Sequence, residues 1–402
     1  MKLRKEFPPQ FYILHFTFYI INIGVKSMII QSENVWLHED FVAAQLTIEG
    51  DKIIKIEEYN KEAPDVDYGE NYILPGFIDI HSHGYGGISA SKSSSKELVN
   101  WKRYLPEEGV TSFLPAVETQ SEADNIKAYK NIVTAMSNSQ GAEILGIYME
   151  GNFISEKTRG AQCKDFIVKP SIDVLKRYID ASNNNLKLIC IAPEEDEGFK
   201  VCEYASSKGI RVSVGHSNAT YKTVKDAMNH GAVSITHTYN GCPRFHHREV
   251  GVIGAAMDID DLYTEIIGDG RHVSWEAVRI LGRLKGKDKL ILVSDAFPLK
   301  GYKGELPLGI TRTDDGQFVN NEGNLCGSSL KINEGINNLI KKAKLPLVTA
   351  INSATINPAK MLGINNNKGS IEVNKDADLV ITNSDFKVMW TYCKGREVYK
   401  GE

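Results

Sequence analysis

ILPGFIDIHSH, residues 73–83, carries the reading of this chain. Its apolar body has the texture of a buried strand, and it ends on His81 and His83, spaced i, i+2. Side chains alternate along a strand, so the two imidazoles share one side, and Asp79, two residues earlier, shares it as a possible outer acceptor. Working outward, seven more apolar runs follow: TSFLPAV (111–117), EILGIYMEG (143–151), LKLICIAP (186–193), IRVSVGHS (210–217), VSITHTYN (233–240), YTEIIGDG (263–270) and KLILVSDA (289–296). Helical patterns such as SKELVNWKRYL (95–105), TVKDAMNH (223–230) and SWEAVRILGRL (274–284) lie between them. Nearly continuous apolar runs fit strands buried on both faces of a parallel sheet. Eight such βα units between residues 75 and 363 match the size of a (β/α)₈ barrel. An open doubly wound sheet is the alternative, but Gly84-Tyr85-Gly86-Gly87 lacks the G-x-G-x-x-G phosphate turn after its first strand.

The flanks read differently. MIIQSENVWL (28–37) and VAAQLTIEGDKIIKIEE (42–58) are short β-rich runs broken by Glu49-Gly50-Asp51-Lys52, a hairpin signal. The stretch from Lys368 to Tyr399 has the same character, so residues 28–74 and 364–402 are expected to pair into one small β-sandwich. Residues 1–27 open with Lys2, Arg4 and Lys5 before an apolar stretch from Phe11 to Val25. His15, Thr17 and Asn22 interrupt that stretch and no clean small-residue cleavage site follows, so an upstream extension is preferred over a signal peptide.

A chain of 402 residues with 42% hydrophobic content can bury a large core. A formal net charge of -4 without a long basic run gives no general pull toward nucleic acid or a membrane surface. Six cysteines without a C-x-x-C pair read as reduced thiols, which favours the cytoplasm.

Residues able to ligate metals close five of the apolar runs: His81 and His83 the first, Glu150 the third, His216 the fifth, His237 the sixth and Asp295 the eighth. Barrel active sites are built at such carboxyl ends. A lone strand-end histidine is usually structural; six ionisable groups all at carboxyl ends are not what packing alone produces. The nitrogen and oxygen donor set suits one or two divalent ions, zinc, iron or manganese. Such an ion polarises a carbonyl and acidifies water, and Asp295 would carry the proton to a leaving nitrogen.

PGFIDIHSHG, MEGNFIS, GHSNAT, THTYNG, HHREVG, GDGRH, VSDA and LCGSSL, in this order, resemble the N-acetylglucosamine-6-phosphate deacetylases of the amidohydrolase superfamily. The resemblance runs from about Met28 to the C-terminus. It implies hydrolysis of the acetamide of N-acetylglucosamine 6-phosphate in amino-sugar catabolism, with Glu150, His216 and His237 holding the principal metal. His81 and His83 complete a second site, and Asp295 is the general acid/base. His272, Asn240 and Gly241 become substrate contacts, and Arg248 a phosphate ligand reaching from the neighbouring subunit of a homodimer. Without the resemblance Arg248 would read as a solvated loop charge. Departures fall at Asn152, where proline is usual, at Gln162, where a histidine usually meets the substrate, and at Gly241-Cys242 in place of Ala-Met. These keep N-acetylgalactosamine 6-phosphate or another N-acyl amine open as substrate, and a catalytically silent barrel scaffold is the third reading.

Overall fold

A computed structural model describes residues 27–401 with the exception of residue 315, so nearly all of the expected N-terminal extension lies outside the described residues. Eight parallel strands form the barrel: Phe77–Ser82, Val110–Val117, Ile147–Met149, Leu186–Ile191, Arg211–Val214, Ala232–Ile235, Tyr263–Ile267 and Leu290–Val293. Each overlaps one of the eight apolar runs and pairs with its sequence neighbours. The ring closes at its mouth. There Asp295 N–H donates to the His81 carbonyl (2.8 Å) and His83 N–H to the Ala296 carbonyl (2.9 Å), so the closing contacts are also backbone contacts of three candidate site residues.

Helices cover the barrel because their apolar residues recur on one side. In Ile172–Ala181, Leu175, Tyr178 and Ile179 are buried at i, i+3, i+4 spacing. Helix Ser95–Tyr104 begins on a reciprocal cap between Ser94 and Glu97 and buries Leu98 and Trp101. Gly215, just past the fifth strand, shows how tightly the ring is packed. A Cβ there would lie 2.5 Å from Thr236 Cβ and 2.7 Å from Cys190 Sγ, so only glycine lets the chain turn out of the strand at this point. Among the described residues no helix is long and apolar enough to cross a membrane.

The two terminal segments do pair. Tyr72–Pro75 runs parallel to Met28–Leu37 on one side and antiparallel to Leu379–Thr382 on the other. The expected hairpin joins Asp40–Glu49 to Lys52–Glu58 through Gly50 and Asp51. The ladder is continuous from Arg396–Lys400 to Lys52–Glu58. Its far hairpin curls back onto the segment before Leu379, with Ile53 N–H on Lys375 O (3.0 Å) and Ala377 N–H on Asp51 O (2.8 Å). The curl encloses Ile30, Leu46, Ile53, Ile73, Leu379 and Ile381. Beside it the buried Lys368 ammonium meets Asp378 (2.5 Å), Asp376 (2.9 Å) and Glu143 (2.8 Å), the last from the barrel.

Candidate metal centre

All six expected ligands lie at the mouth of the barrel. His81 is in the first strand and His83 just beyond it; Glu150 follows the third strand directly. His216, His237 and Asp295 each stand two residues past their strands, and each has a positive φ: 44°, 25° and 45°. Left-handed backbone disfavours side chains with a Cβ by about 1–2 kcal/mol per residue, so surrounding contacts hold these three turns in place.

The donor atoms form two groups, His81, His83 and Asp295 in one and Glu150, His216 and His237 in the other, with the atoms of each group within 4.8 Å of one another. Glu150 joins them. Its Oε1 is 3.1 Å from His237 Nε2, 3.3 Å from His216 Nε2 and 3.2 Å from His81 Nε2, while its Oε2 is 3.2 Å from His83 Nε2. Asp295 Oδ1 completes the ring at 3.2 Å from His83 Nε2 and 3.5 Å from His81 Nε2. On the far side of the rings, His83 Nδ1 lies 3.0 Å from the Ala116 carbonyl and His216 Nδ1 3.0 Å from the Thr158 carbonyl. Carbonyl oxygens only accept, so both Nδ1 atoms carry a proton, and Nε2 is the nitrogen that each ring turns toward the centre. With His216 and His237 Nε2 only 3.0 Å apart, the site concentrates electron-rich donors on one point.

Electrostatics point the same way. Burial opposes a charged imidazolium, yet Glu150 and Asp295 outweigh it, lifting His81 well above the ordinary range and His83 to about 10. Burial would likewise raise the two carboxyls, but His81 and His83 hold Asp295 at about 2 and Glu150 well below its usual value. The nest draws positive charge to itself, and its histidine and carboxylate donors fit one or two divalent ions of the zinc, iron and manganese class.

One supporting group escaped the sequence reading, and another has partners other than those expected. Glu265, mid-way along the seventh strand, lies 2.9 Å from His81 Nδ1 through Oε2. Asp79, the acceptor expected beneath the ring, instead takes the His81 backbone N–H (3.3 Å) and the Ser294 hydroxyl (2.6 Å), tying the first strand to the end of the eighth. The signal for Glu265 was present: a lone charge inside the otherwise uncharged strand YTEII.

Above the centre opens a pocket of about 900 Å³, whose lining includes Gln162, Asn240, Gly241 and His272 with five of the six ligand candidates. Gln162 donates to Glu150 Oε2 (2.6 Å) and accepts from Thr119 N–H (2.7 Å), which fixes the orientation of its amide. His272 Nδ1 is 2.7 Å from Asp269 Oδ2; burial opposes its protonation, but Asp269 raises its pKa overall. Gly241 is required where it stands, since a Cβ would come within 2.8 Å of His216 Nδ1. Arg248 is exposed on the loop after Cys242 and takes no part in the lining. Asn152 also lies off the pocket, against the expectation of a substrate-facing change. At φ 69° proline cannot occupy it, and its amide is buried, donating to the Gln120 (2.9 Å) and Phe166 (2.8 Å) carbonyls.

Residues 72–398 match the model of the amidohydrolase family. The chain belongs to this family. Among amidohydrolases it is 38% identical over 354 residues to N-acetylglucosamine-6-phosphate deacetylase of Bacillus subtilis (strain 168), covering 84% of this chain and 87% of that one. It is 28% identical over 335 residues to N-acetylgalactosamine-6-phosphate deacetylase of Escherichia coli O157:H7, covering 81% and 87%. The crystal structure of N-acetyl-D-glucosamine-6-phosphate deacetylase from Mycobacterium smegmatis superposes with a TM-score of 0.87 at 25% identity, covering 92% of this chain and all of that one. The family resemblance carried by the motifs is borne out over most of the chain, and so is the barrel with its small terminal sheet.

Proposed function

We propose that this amidohydrolase cleaves the acetamide of N-acetyl-D-glucosamine 6-phosphate, releasing acetate and D-glucosamine 6-phosphate. The observation that carries the reading is the convergence of four histidines and two carboxylates on the floor of an open pocket, in a chain 38% identical to a deacetylase of that substrate. Glu150, His216 and His237 would hold the principal ion, with His81, His83 and Asp295 around a second. A divalent zinc, iron or manganese ion held there supplies Lewis-acid polarisation of a carbonyl and acidifies nearby water. Asp295, held ionised, is the group suited to accept the water's proton and return it to the leaving nitrogen. His272, with Nδ1 engaged by Asp269, offers Nε2 to the substrate. Gln162 offers its remaining amide N–H but cannot carry positive charge.

Asn240 and the Gly241 backbone are read as phosphate contacts. Arg248, exposed and outside the lining of its own pocket, is read as the phosphate ligand of a neighbouring subunit in a homodimer. All six cysteines are free thiols, which suits the cytoplasm. Steady-state acetate release from the phosphorylated N-acetylglucosamine and N-acetylgalactosamine epimers, using metal-loaded protein, tests the assignment. Preference for the galactosamine epimer would transfer the reading to the activity of the Escherichia coli relative. Turnover of neither, alongside cleavage of another amide, would reject it.

A further inference from the structure

Glu265 is fully buried in the seventh strand, between Thr264 and Ile266, where packing alone favours an apolar residue. Its Oε2 receives two contacts, His81 Nδ1 at 2.9 Å and the backbone N–H of His237 at 3.1 Å, while its own carbonyl takes the Thr238 N–H (2.9 Å). An oxygen already accepting a backbone N–H acts as an acceptor, so His81 Nδ1 supplies the proton of the other bond. With Nδ1 so engaged, Nε2 is the nitrogen that faces Glu150 and Asp295. At His237 the same oxygen grips a residue whose φ of 25° must be held from outside. Among the described residues the other carboxylate oxygen, Oε1, has no hydrogen-bond partner, so the side chain is placed for these two contacts and not to saturate a wider network.

His81 belongs to one donor group and His237 to the other. We infer that Glu265 is a positioning residue that couples the two metal sites, setting the ring of His81 in one and the backbone of His237 in the other. The inference rests on the reading of both groups as metal sites. Outer partners of this kind support metal affinity by about 10–100-fold.

The test is cobalt(II) titration of the chelator-stripped full chain, followed by visible absorption and metal analysis. In Glu265→Leu both binding steps are expected to weaken by at least about tenfold, whereas His81→Ala weakens one step far more than the other. Glu265→Gln, which keeps an acceptor in place, is expected to stay within about threefold of the parent at both steps. If Glu265→Leu does not fold, Glu265→Asp, which withdraws the carboxylate by one methylene, is expected to weaken both steps in its stead. Parent-like affinities in the Leu or Asp variant, weakening confined to the step lost in His81→Ala, or failure of Gln to rescue would each overturn the inference. A parent chain that binds fewer than two equivalents would instead overturn the two-site reading, and the inference with it.

Discussion

Substituting Asn152 by alanine is expected to damage stability much more than chemistry, and the structure sets the size of the effect. The Asn152 side chain makes three hydrogen bonds, two of them buried and one part-buried, donating to the Gln120 and Phe166 carbonyls and accepting from the Asn125 amide. At about 1 kcal/mol net for each, their loss amounts to about 3 kcal/mol. Alanine must also hold φ near 69°, a region that asparagine tolerates and alanine does not, which adds about 1 kcal/mol. Glycine at the same position should recover that last portion only, and proline should prevent the loop from forming, because it can neither reach the angle nor donate to Thr119 Oγ1. Urea unfolding of metal-loaded protein measures the stabilities. Steady-state kinetics below the transition measures the chemistry, where kcat/KM is expected to stay within about threefold of the parent. An unchanged unfolding midpoint with a hundredfold loss in kcat/KM would refute the argument and return Asn152 to the substrate.

Asp295→Asn should lower kcat by about 10²–10⁴-fold with little change in KM, read in steady state together with a metal analysis that separates lost chemistry from lost ion. Arg248→Ala should raise KM for the phosphorylated substrate by about 10–100-fold, the worth of a charge-assisted hydrogen bond, and should largely erase the preference for phosphorylated over unphosphorylated sugar. Lys368→Met should cost about 3–5 kcal/mol in urea unfolding, because it leaves the buried Asp376 and Asp378 carboxylates facing each other. The parent should lose stability in acid through Asp376: burial opposes its ionisation, but Lys52 and Lys368 outweigh this and depress its pKa. Its contribution is therefore complete above the ordinary value of 3.8 and is lost as pH falls through the depressed one, a limb that Lys368→Met should flatten.

The barrel was legible because each of its strands is a run too apolar and too short for anything else, from Phe77–Ser82 to Leu290–Val293. The six residues at the centre were legible for a related reason: ionisable groups after apolar strands stand out by position, and five strand ends repeat the pattern. Glu265 showed only as a lone charge within its strand, and its role went unread because the sequence does not show which face of a strand looks into the ring. Asp79 was placed on the correct side, but beyond the neighbouring His81 N–H its partners are the Ser294 backbone and hydroxyl, which only the closure of the first strand on the eighth brings near. The small terminal domain was legible from its hairpins and alternation, which specify strands without specifying how a ladder runs. Here Tyr72–Pro75 bridges the two terminal segments and keeps it whole. Asn152 and Gln162, twelve residues apart, looked alike as departures; tertiary contacts alone separate a loop fastener from a pocket-facing amide.

The loop that holds Gln162 also supplies the Thr158 carbonyl that aims His216, and its Arg159 reaches across to Glu322 in the loop beyond Phe318–Asn320 (3.1 Å). On the proposed function, recognition and ion binding would therefore share one piece of chain. If that reading holds, a designer who transplants this segment from a deacetylase to redirect the protein toward a different sugar would move the carbonyl that aims His216 as well. Grafts here have to be screened first for what they hold, and only then for what they cut.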